Sequence, residues 1–397
     1  MNKIAVIGTG YVGLVTGLVF AKLGHYVHFI DLDEEKVSKL QNQVLPFYEP
    51  GLKDIFIDKE VIDRVSYSSE YSENLKEVEI VFICVQTPQE DGRVTNPSFL
   101  YDALVSVKES IGESTVICIK STFPPTLLDD LEMMNLDVGN VIFNPEFLRE
   151  GSAIFDFNNP DRILIGGSNE ESLEFLENLY KDFDSEIIIT DSVTALLIKY
   201  LSNAYLSMRL SFVNEALQIG DSLGADIPTL LDGIGADKRI GKDYFRPSPG
   251  WGGSCFPKDT KALEIILSEK ELNSPLLNVI NLSNKEHIEW ISEKTIGLST
   301  SNSKTNIILY GAAFKENTDD MRDSPTVELH KILKSKGKKV SIFDESNTGL
   351  ANAITDINEI NNSLVVLMYP IEDMTSIIEN LQRNENTIYV PWKNKTL

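Results

Sequence analysis

The stretch from Lys3 to Asp31, KIAVIGTGYVGLVTGLVFAKLGHYVHFID, decides the fold of this chain. It opens with a short apolar run that is typical of a buried strand. A glycine pattern, GxGxxG, follows at residues 8–13, and apolar residues then recur at helical spacing from Leu14 to Leu23. A second strand, Tyr26–Ile30, ends at Asp31. The stretch therefore predicts a strand–helix–strand unit.

This unit has the features of a dinucleotide site. Gly8 makes the tight turn, Gly10 lets the backbone approach a pyrophosphate, and Gly13 permits close helix packing. The pyrophosphate then rests on the helix N-terminus. A carboxylate at Asp31 accepts hydrogen bonds from ribose hydroxyls and repels a 2′-phosphate, so the pattern favours NAD over NADP. The alternative is a Rossmann-like fold that binds FAD, another nucleotide or nothing.

Further short apolar runs predict more strands, and helical stretches separate several of them. The runs are Ile80–Val85, Thr115–Ile119, Val141–Phe143 and Ile163–Ile165. Alternating strands and helices indicate an α/β fold with a mostly parallel, doubly wound sheet. We expect an NAD-binding Rossmann domain over residues 1–190.

One long helix is predicted next, from Val193 to Leu223, with Ser192 as a candidate cap and Gly224 as a stop. A helix of about 30 residues spans roughly 45 Å, which is too long for a crossover inside a small domain. We expect a linking helix that packs against its twin in a homodimer. Further helical segments run from Lys258 to about Leu298, so residues 191–298 form a central helical domain in this interpretation.

The C-terminal part returns to an α/β pattern after a polar linker at Ser299–Thr305. A helix is predicted from Pro325 to Gly337. Strands are predicted at Asn306–Tyr310, Val340–Phe343, Leu364–Met368 and Ile388–Val390. Residues 299–397 therefore form a second, Rossmann-like domain.

The composition limits the partners. The 397 residues carry a formal net charge of −24, and such a surface repels nucleic acid and anionic membranes. An anionic substrate would need a local cluster of Lys and Arg.

No run of about 18 apolar residues is present. Three separated cysteines suit a reducing compartment, so we expect a cytoplasmic protein. Cys84 and Cys118 lie in apolar runs and are predicted to be inert core residues.

Cys255 lies in a different setting, the glycine-rich stretch PGWGGSCFPKD at residues 249–259. Pro257 can start a helix directly after the cysteine. A helix N-terminus and a nearby lysine both lower the pKa of a thiol, and a thiolate there could attack an aldehyde. The alternative is a buried structural cysteine.

Other polar residues are candidates for the same chemistry. Lys199 and Asn203 project from one face of the long helix and could stabilise an oxyanion, although a solvated face is the alternative. Glu146 and Glu150 follow a strand and could act as a general base, unless they are simply exposed. Thr87-Pro88 and Lys120-Ser121-Thr122 end strands at the same sheet edge, where simple strand termination is the alternative.

These stretches together resemble the family of nucleotide-sugar dehydrogenases over essentially the whole chain. Within that family, the resemblance is greatest to the branch that uses UDP-glucose. The matching segments are 8–13, 48–52, 120–122, 144–151, 159–162, 237–241, 252–259, 314–315 and 322–324. The resemblance implies NAD-dependent, four-electron oxidation of UDP-glucose to UDP-glucuronate. The same chemistry on GDP-mannose or a UDP-N-acetylhexosamine is the alternative.

The resemblance also assigns roles. Cys255 would form a thiohemiacetal and then a thioester. Asp259 and Lys199, with Thr122, would handle the first proton transfer, Lys199 and Asn203 would hold the oxyanion, and Glu150, helped by Glu146, would manage hydrolysis.

Binding residues are carried over in the same way, and no metal is implied. The implied NAD contacts are Gly8, Gly10, Tyr11, Val12, Gly13, Asp31, Lys36, Thr87, Thr122, Glu150, Lys258 and Arg322. The implied substrate contacts are Glu146, Phe147, Leu148, Arg149, Glu150, Lys199, Asn203, Arg239 (from a dimer partner), Arg246, Gly250, Trp251, Gly252, Phe314 and Lys315.

Two other classes of protein are compatible with the layout. A two-electron hydroxyacid dehydrogenase shares the three-part organisation but needs no nucleophilic thiol. A non-catalytic NAD sensor or scaffold would not need the candidate catalytic residues.

Overall fold

The computed structural model describes residues 1–71, 73–88, 95–133, 141–344, 354, 356–371 and 373–397. Contacts within the chain divide it into two compact units, Met1–Leu201 and Ser202–Leu397. Each unit is an α/β structure. The three predicted domains, with boundaries at residues 190 and 298, remain a prediction.

The first unit is built on an eight-stranded sheet with the order β3-β2-β1-β4-β5-β6-β7-β8. The strands are β1 Lys3–Ile7, β2 Tyr26–Ile30, β3 Val65–Ser68, β4 Ile80–Ile83, β5 Val116–Ile119, β6 Val141–Phe143, β7 Arg162–Gly166 and β8 Glu186–Thr190. All neighbouring strands are parallel except β6 and β7, which pair antiparallel. The predicted strands are thus confirmed to within two residues at each end, and β3 and β8 were not predicted.

Helices cover both faces of this sheet. They are α1 Tyr11–Lys22, α2 Glu34–Gln41, α3 Leu52–Phe56, α4 Lys59–Ile62, α5 Ser98–Ser110, α6 Leu128–Met133, α7 Ala153–Asn158 and α8 Glu170–Tyr180. Ile4 and Val6 of β1 pack into one core, whereas Ala5 and Ile7 pack into the other. Residues 4–7 of the strand are all buried, on one face or the other, and this part of the sequence is continuously apolar.

The long helix, α9, spans Ser192–Leu223 and has 32 residues. The predicted cap at Ser192 is wrong. Asp191 caps the helix instead, since its carboxylate accepts a hydrogen bond from the Thr194 backbone N–H at 2.9 Å. The carboxylate also accepts one from the Thr194 hydroxyl. Gly224 follows the helix with a φ of +71°, the left-handed conformation that ends many helices.

The second unit combines helices with a five-stranded sheet of order β10-β9-β11-β12-β13. Its helices after α9 are α10 Ile227–Gly235, α11 Phe256–Glu269, α12 Ile280–Ser301, α13 Pro325–Ser335 and α14 Met374–Arg383. Its strands are β9 Asn306–Tyr310, β10 Lys339–Phe343, β11 Ser363–Leu367, β12 Thr387–Val390 and β13 Lys395–Thr396. The predicted linker is shorter than expected because α12 continues to Ser301.

No helix in the described part of the chain has both the length and the apolar character that crossing a bilayer requires.

Candidate active site

The glycine turn of the first unit is packed too tightly for side chains at two of its positions. Gly8 has a φ of +95°, and a Cβ there would lie 2.7 Å from the Cys84 carbonyl oxygen. A Cβ at Gly13, in α1, would lie 2.0 Å from the Gly8 carbonyl oxygen. A Cβ at Gly10 would meet nothing within 4 Å, so space is open beside its backbone. This arrangement fits a pyrophosphate at the N-terminus of α1.

Asp31 lies at the end of β2 and faces the glycine turn. Its Oδ2 accepts hydrogen bonds from the Thr9 backbone N–H and hydroxyl, both at 2.8 Å. Lys36 Nζ lies 3.1 Å from the same oxygen. Burial opposes ionisation, but these hydrogen bonds and the lysine outweigh it and lower the pKa of the Asp31 carboxyl. The ionised carboxylate suits the ribose hydroxyls of NAD.

The other predicted NAD contacts are distributed over both units. Tyr11 and Val12 begin α1. Thr87 is buried beyond the end of β4, and Thr122 is half-buried beyond the end of β5. Lys258 belongs to the second unit, as does Arg322, which pairs with Asp320 at 2.7 Å.

A loop after β6 carries the two candidate glutamates. Lys199 Nζ, from α9, lies 3.0 Å from Glu146 Oε1 and donates to the Glu146 carbonyl oxygen at 2.6 Å. The other oxygen, Glu146 Oε2, accepts the Leu148 backbone N–H at 2.7 Å. Lys199 and Glu146 are buried, so the alternative of a solvated face is wrong for both. Glu150 is half-buried further along the loop.

Cys255 lies at the N-cap of α11, and Pro257 is in the first turn of that helix. The thiol is half-buried, and the Ser254 hydroxyl oxygen is 3.6 Å from its sulfur. The partial positive charge of a helix N-terminus favours the thiolate form. The Cys255 thiol is therefore not fully buried, and its role as the nucleophile stays a prediction.

Asp259, one helical turn after the cysteine, is fully buried with two partners. Lys258 Nζ lies 2.5 Å from Asp259 Oδ1. Asn203 Nδ2, from α9, donates to Asp259 Oδ2 at 2.6 Å. Asn203 is buried as well, which excludes a solvated position. A buried, paired carboxylate beside a candidate nucleophile is suited to proton transfer or to holding its neighbours in place.

The glycine-rich loop before Cys255 packs against a segment of the same unit. A Cβ on Gly252 would lie 2.0 Å from the Asp323 carbonyl oxygen, and one on Gly253 would lie 2.8 Å from the Phe314 ring. Gly253 donates its N–H to the Arg322 carbonyl oxygen at 3.1 Å. The loop that leads to the nucleophile is therefore seated on the segment that contains Phe314 and Lys315.

The remaining predicted substrate residues differ in exposure. Trp251 is buried, and its indole N–H donates to the Ser211 hydroxyl at 3.0 Å, so its contacts are those of a core residue. Arg239 is exposed and pairs with Asp237 at 2.6 Å. Arg246 is exposed and lies 3.1 Å from Glu316.

Cys84 and Cys118 are buried in the first unit, as predicted. Burial raises the pKa of the Cys84 thiol to about 12 and also raises the pKa of the Cys118 thiol. Neither thiol is a nucleophile at neutral pH.

Three family models match the chain, at residues 2–184, 193–286 and 308–366. They describe the NAD-binding, central and UDP-binding domains of UDP-glucose/GDP-mannose dehydrogenases. The chain belongs to the UDP-glucose/GDP-mannose dehydrogenase family. It is accordingly an NAD-dependent oxidoreductase, which confirms the predicted enzyme class and cofactor and excludes the NAD sensor.

Several relatives are similar to this chain over most of their own length. A UDP-glucose 6-dehydrogenase of Rickettsia bellii is 42% identical over 88% of this chain and 82% of its own. The UDP-glucose 6-dehydrogenase YwqF of Bacillus subtilis is 38% identical over 86% and 79%. Among solved structures, a UDP-glucose dehydrogenase from Pyrobaculum islandicum has a TM-score of 0.83 and 30% identity, covering 94% and 91%. The expected α/β architecture is confirmed.

One residue of this dehydrogenase that sequence reasoning did not single out is Glu49. Its buried carboxylate binds the loop that carries Glu150, about a hundred positions away. The segment Tyr48–Leu52 stood out only as part of the family resemblance, and local spacing contains no sign of such a distant partner.

Proposed function

We propose that this dehydrogenase oxidises the C6 alcohol of UDP-glucose to a carboxylate, giving UDP-glucuronate with the use of two NAD and one water. The observation that carries the proposal is Cys255 at the N-cap of α11, preceded by a glycine-rich loop and followed by the buried Asp259. Its relatives named as UDP-glucose 6-dehydrogenases support UDP-glucose as the substrate.

The glycine turn and Asp31 would hold NAD, which would supply the hydride acceptor for each of the two oxidations. In the first, the C6 alcohol loses its hydroxyl proton and becomes an aldehyde. Asp259 and Lys199, with Thr122, handle that proton in this scheme. Asp259 suits the role because Lys258 and Asn203 keep its carboxylate hydrogen-bonded while it is buried.

The aldehyde is then attacked by the Cys255 thiolate. A carbon–sulfur bond forms, the carbonyl oxygen becomes an oxyanion and is protonated, and a thiohemiacetal results. The ammonium of Lys199 and the amide of Asn203 stabilise the oxyanion. The second oxidation removes the C6 hydrogen and the hydroxyl proton, and leaves a thioester on Cys255.

Water completes the reaction. Glu150, helped by Glu146, takes a proton from water as it adds to the thioester carbonyl. Collapse of the adduct breaks the carbon–sulfur bond, releases the carboxylate and restores the Cys255 thiolate. Glu146 is suited to a supporting role because Lys199 and the Leu148 N–H hold both of its oxygens.

A nucleotide sugar is anionic and would be repelled by the acidic surface. Cationic side chains at its binding site would offset that repulsion. We assign Phe147, Leu148 and Arg149 of the first unit to substrate binding. We also assign Phe314, Lys315 and the segment from Arg246 to Gly252, in the second unit, to substrate binding. Arg239, which is exposed, would reach the pyrophosphate of a partner subunit. In this scheme Trp251 contributes by supporting the loop, since its indole is buried.

The proposed assembly is a homodimer formed through α9. Tyr205, Phe212 and Ile219 lie at intervals of seven residues on this helix, and each is more than half exposed. Seven residues are nearly two helical turns, so the three side chains form one apolar stripe. A second copy of the chain suits the stripe because a two-fold contact needs one self-complementary patch. The three cysteines, well separated in the sequence, support a cytoplasmic location.

The test is NADH formed per UDP-glucose consumed by the purified protein, and the expected value is two. Cys255→Ser should abolish UDP-glucuronate formation. Cys118→Ala, which removes a buried thiol away from the reaction, should leave turnover near that of the wild type.

A value of one NADH would instead indicate a two-electron dehydrogenase, and full carboxylate formation by Cys255→Ser would rule out Cys255 as the nucleophile. A parallel assay with GDP-mannose and UDP-N-acetylhexosamines tests the sugar. Turnover of one of these without turnover of UDP-glucose would reassign the substrate.

A further inference from the structure

Glu49 is a buried carboxylate just before α3, and only 4% of it is exposed. Its Oε2 accepts the Gly151 backbone N–H at 2.7 Å, and its Oε1 accepts the Ala153 backbone N–H at 2.8 Å. Both oxygens of one side chain therefore hold two backbone groups of a distant segment. Hydrogen bonds to an ionised acceptor are roughly twice as strong as those between neutral groups.

The segment that Glu49 holds has no regular structure between the end of β6 and the start of α7. Carboxylates accept hydrogen bonds from several of its backbone N–H groups, and the Ser152 N–H donates to the Arg149 carbonyl oxygen. Glu146 accepts from Leu148, and Asp156 accepts from the Arg149 backbone at 2.9 Å and from its guanidinium. These contacts all precede Glu150, whereas those of Glu49 follow it. Glu49 thus binds the backbone on the C-terminal side of Glu150, where Asp156 also accepts a hydrogen bond from the Ser152 hydroxyl at 3.2 Å.

We infer that Glu49 is a positioning residue for the hydrolytic step, because it fixes the backbone on which Glu150 is presented. The inference rests on the proposed function. A general base must stay within hydrogen-bonding reach of the water that it activates. Displacement of about 1 Å can cost on the order of a hundredfold in rate. The backbone that Glu49 binds begins at the residue directly after Glu150.

Glu49→Gln tests this inference in the full-length protein. The amide keeps the shape of the side chain, but its NH₂ group cannot accept a hydrogen bond, so one of the two backbone N–H groups loses its acceptor. We expect kcat to fall by about ten- to a hundredfold. The ratio kcat/KM for UDP-glucose should stay within about threefold, with KM falling alongside kcat, because every step up to the thioester is retained.

A positioning role in hydrolysis also predicts where the reaction stalls. Rapid mixing of Glu49→Gln with both substrates should give a fast burst of two NADH per subunit, followed by slow turnover. Mass spectrometry of the acid-quenched protein should show the acyl group on Cys255. Glu49→Asp, which retains two acceptor oxygens on a shorter side chain, should recover part of the lost rate. Glu171→Gln, at an exposed position of α8, should behave like the wild type.

Unchanged kcat in Glu49→Gln would overturn the inference. A slow variant without a burst and without the adduct would overturn it as well, since the impaired step would then precede the thioester. So would a joint loss of thermal stability and NAD affinity, which indicates a purely structural role. The proposed function fails separately, because the wild-type protein in the same assay would then yield one NADH or none.

Discussion

At the scale of single residues, three buried charged residues of the candidate site, Glu146, Lys199 and Asp259, are each paired with an opposite charge. Lys199 lies beside Glu146, and Lys258 lies beside Asp259. Removing one partner of a buried pair typically costs about 3–5 kcal/mol, because the other charge is left uncompensated. A substitution at any of these four positions therefore affects folding as well as chemistry, and stability has to be measured alongside activity.

His287 of α12 is a buried residue that remains neutral. Its Nε2 lies 2.8 Å from the Ser248 carbonyl oxygen, and its Nδ1 lies 2.7 Å from Gln218 Nε2. With the proton on Nε2, the ring donates to the carbonyl and accepts from the amide. Burial lowers the pKa of this imidazole to about 4, although the bond to Ser248 opposes the shift. The folded protein therefore excludes a proton that the unfolded chain binds below about pH 6.5.

We predict that His287 makes the free energy of unfolding depend on pH between about pH 4 and about pH 6.5. Its contribution should be fully present above about pH 6.5 and should fall as the pH drops, with the loss complete near pH 4. The size is up to about 3 kcal/mol in the free energy of unfolding. Urea unfolding of the wild type and of His287→Gln across this range measures it. Equal pH dependence in both proteins would contradict the prediction.

At the scale of elements, the position of Cys255 depends on a close contact between a loop and its support. The glycine-rich loop that leads into α11 lies against the carbonyl oxygen of Asp323, which has a φ of +48°. Because Gly252 has no Cβ, the two backbones can approach. The N-terminus of α11 favours the thiolate form of Cys255, and the close contact at Gly252 fixes where the thiol lies.

Gly252→Ala should therefore displace the loop. The added Cβ would lie 2.0 Å from the Asp323 oxygen, so backbone has to move. We expect destabilisation of about 1–3 kcal/mol and a drop in kcat. Gly297→Ala is the matched control, because a Cβ there meets nothing within 4 Å in the interior of α12. That change should be neutral or stabilising by up to about 1 kcal/mol. Thermal unfolding and steady-state kinetics measure both, and equal effects would contradict the prediction.

At the scale of the whole molecule, the acidic surface and the apolar stripe of α9 have opposite consequences. A net charge of −24 keeps molecules apart, whereas exposed Tyr205, Phe212 and Ile219 favour association at one place. Burial of this stripe against a second copy would remove apolar surface from water at about 25 cal/mol per Å².

Phe212→Glu should convert the proposed dimer into a monomer. The variant places a charge in the middle of the stripe, where its burial would be unfavourable. Light scattering after size-exclusion chromatography should give twice the 44.4 kDa chain mass for the wild type and the single mass for the variant. Phe99→Glu, at an exposed position of α5, is the control and should remain dimeric. A monomeric wild type would contradict the proposal.

Much of the fold could be predicted because its signals are local. The β-strand at Lys3–Ile7, the glycine turn and the helix after it lie next to one another in the chain, and each residue acts on its neighbours. The direction of β7 could not be predicted. Its residues are buried in the same pattern whichever way the strand runs, so the antiparallel pairing with β6 leaves no mark on its composition.

The amino-acid sequence by itself determined the glycine turn with Asp31, the long α9 and the placement of Cys255 at the start of a helix. These depend on backbone conformation and on periodicity within a few residues. Only the tertiary structure decided which polar residues meet: Glu49 with Gly151, Lys199 with Glu146, and Asn203 with Asp259. A carboxylate has the same local propensities whether it is solvated or buried. Its partner is chosen by chain packing over 50 to 100 positions, and no local pattern encodes that choice.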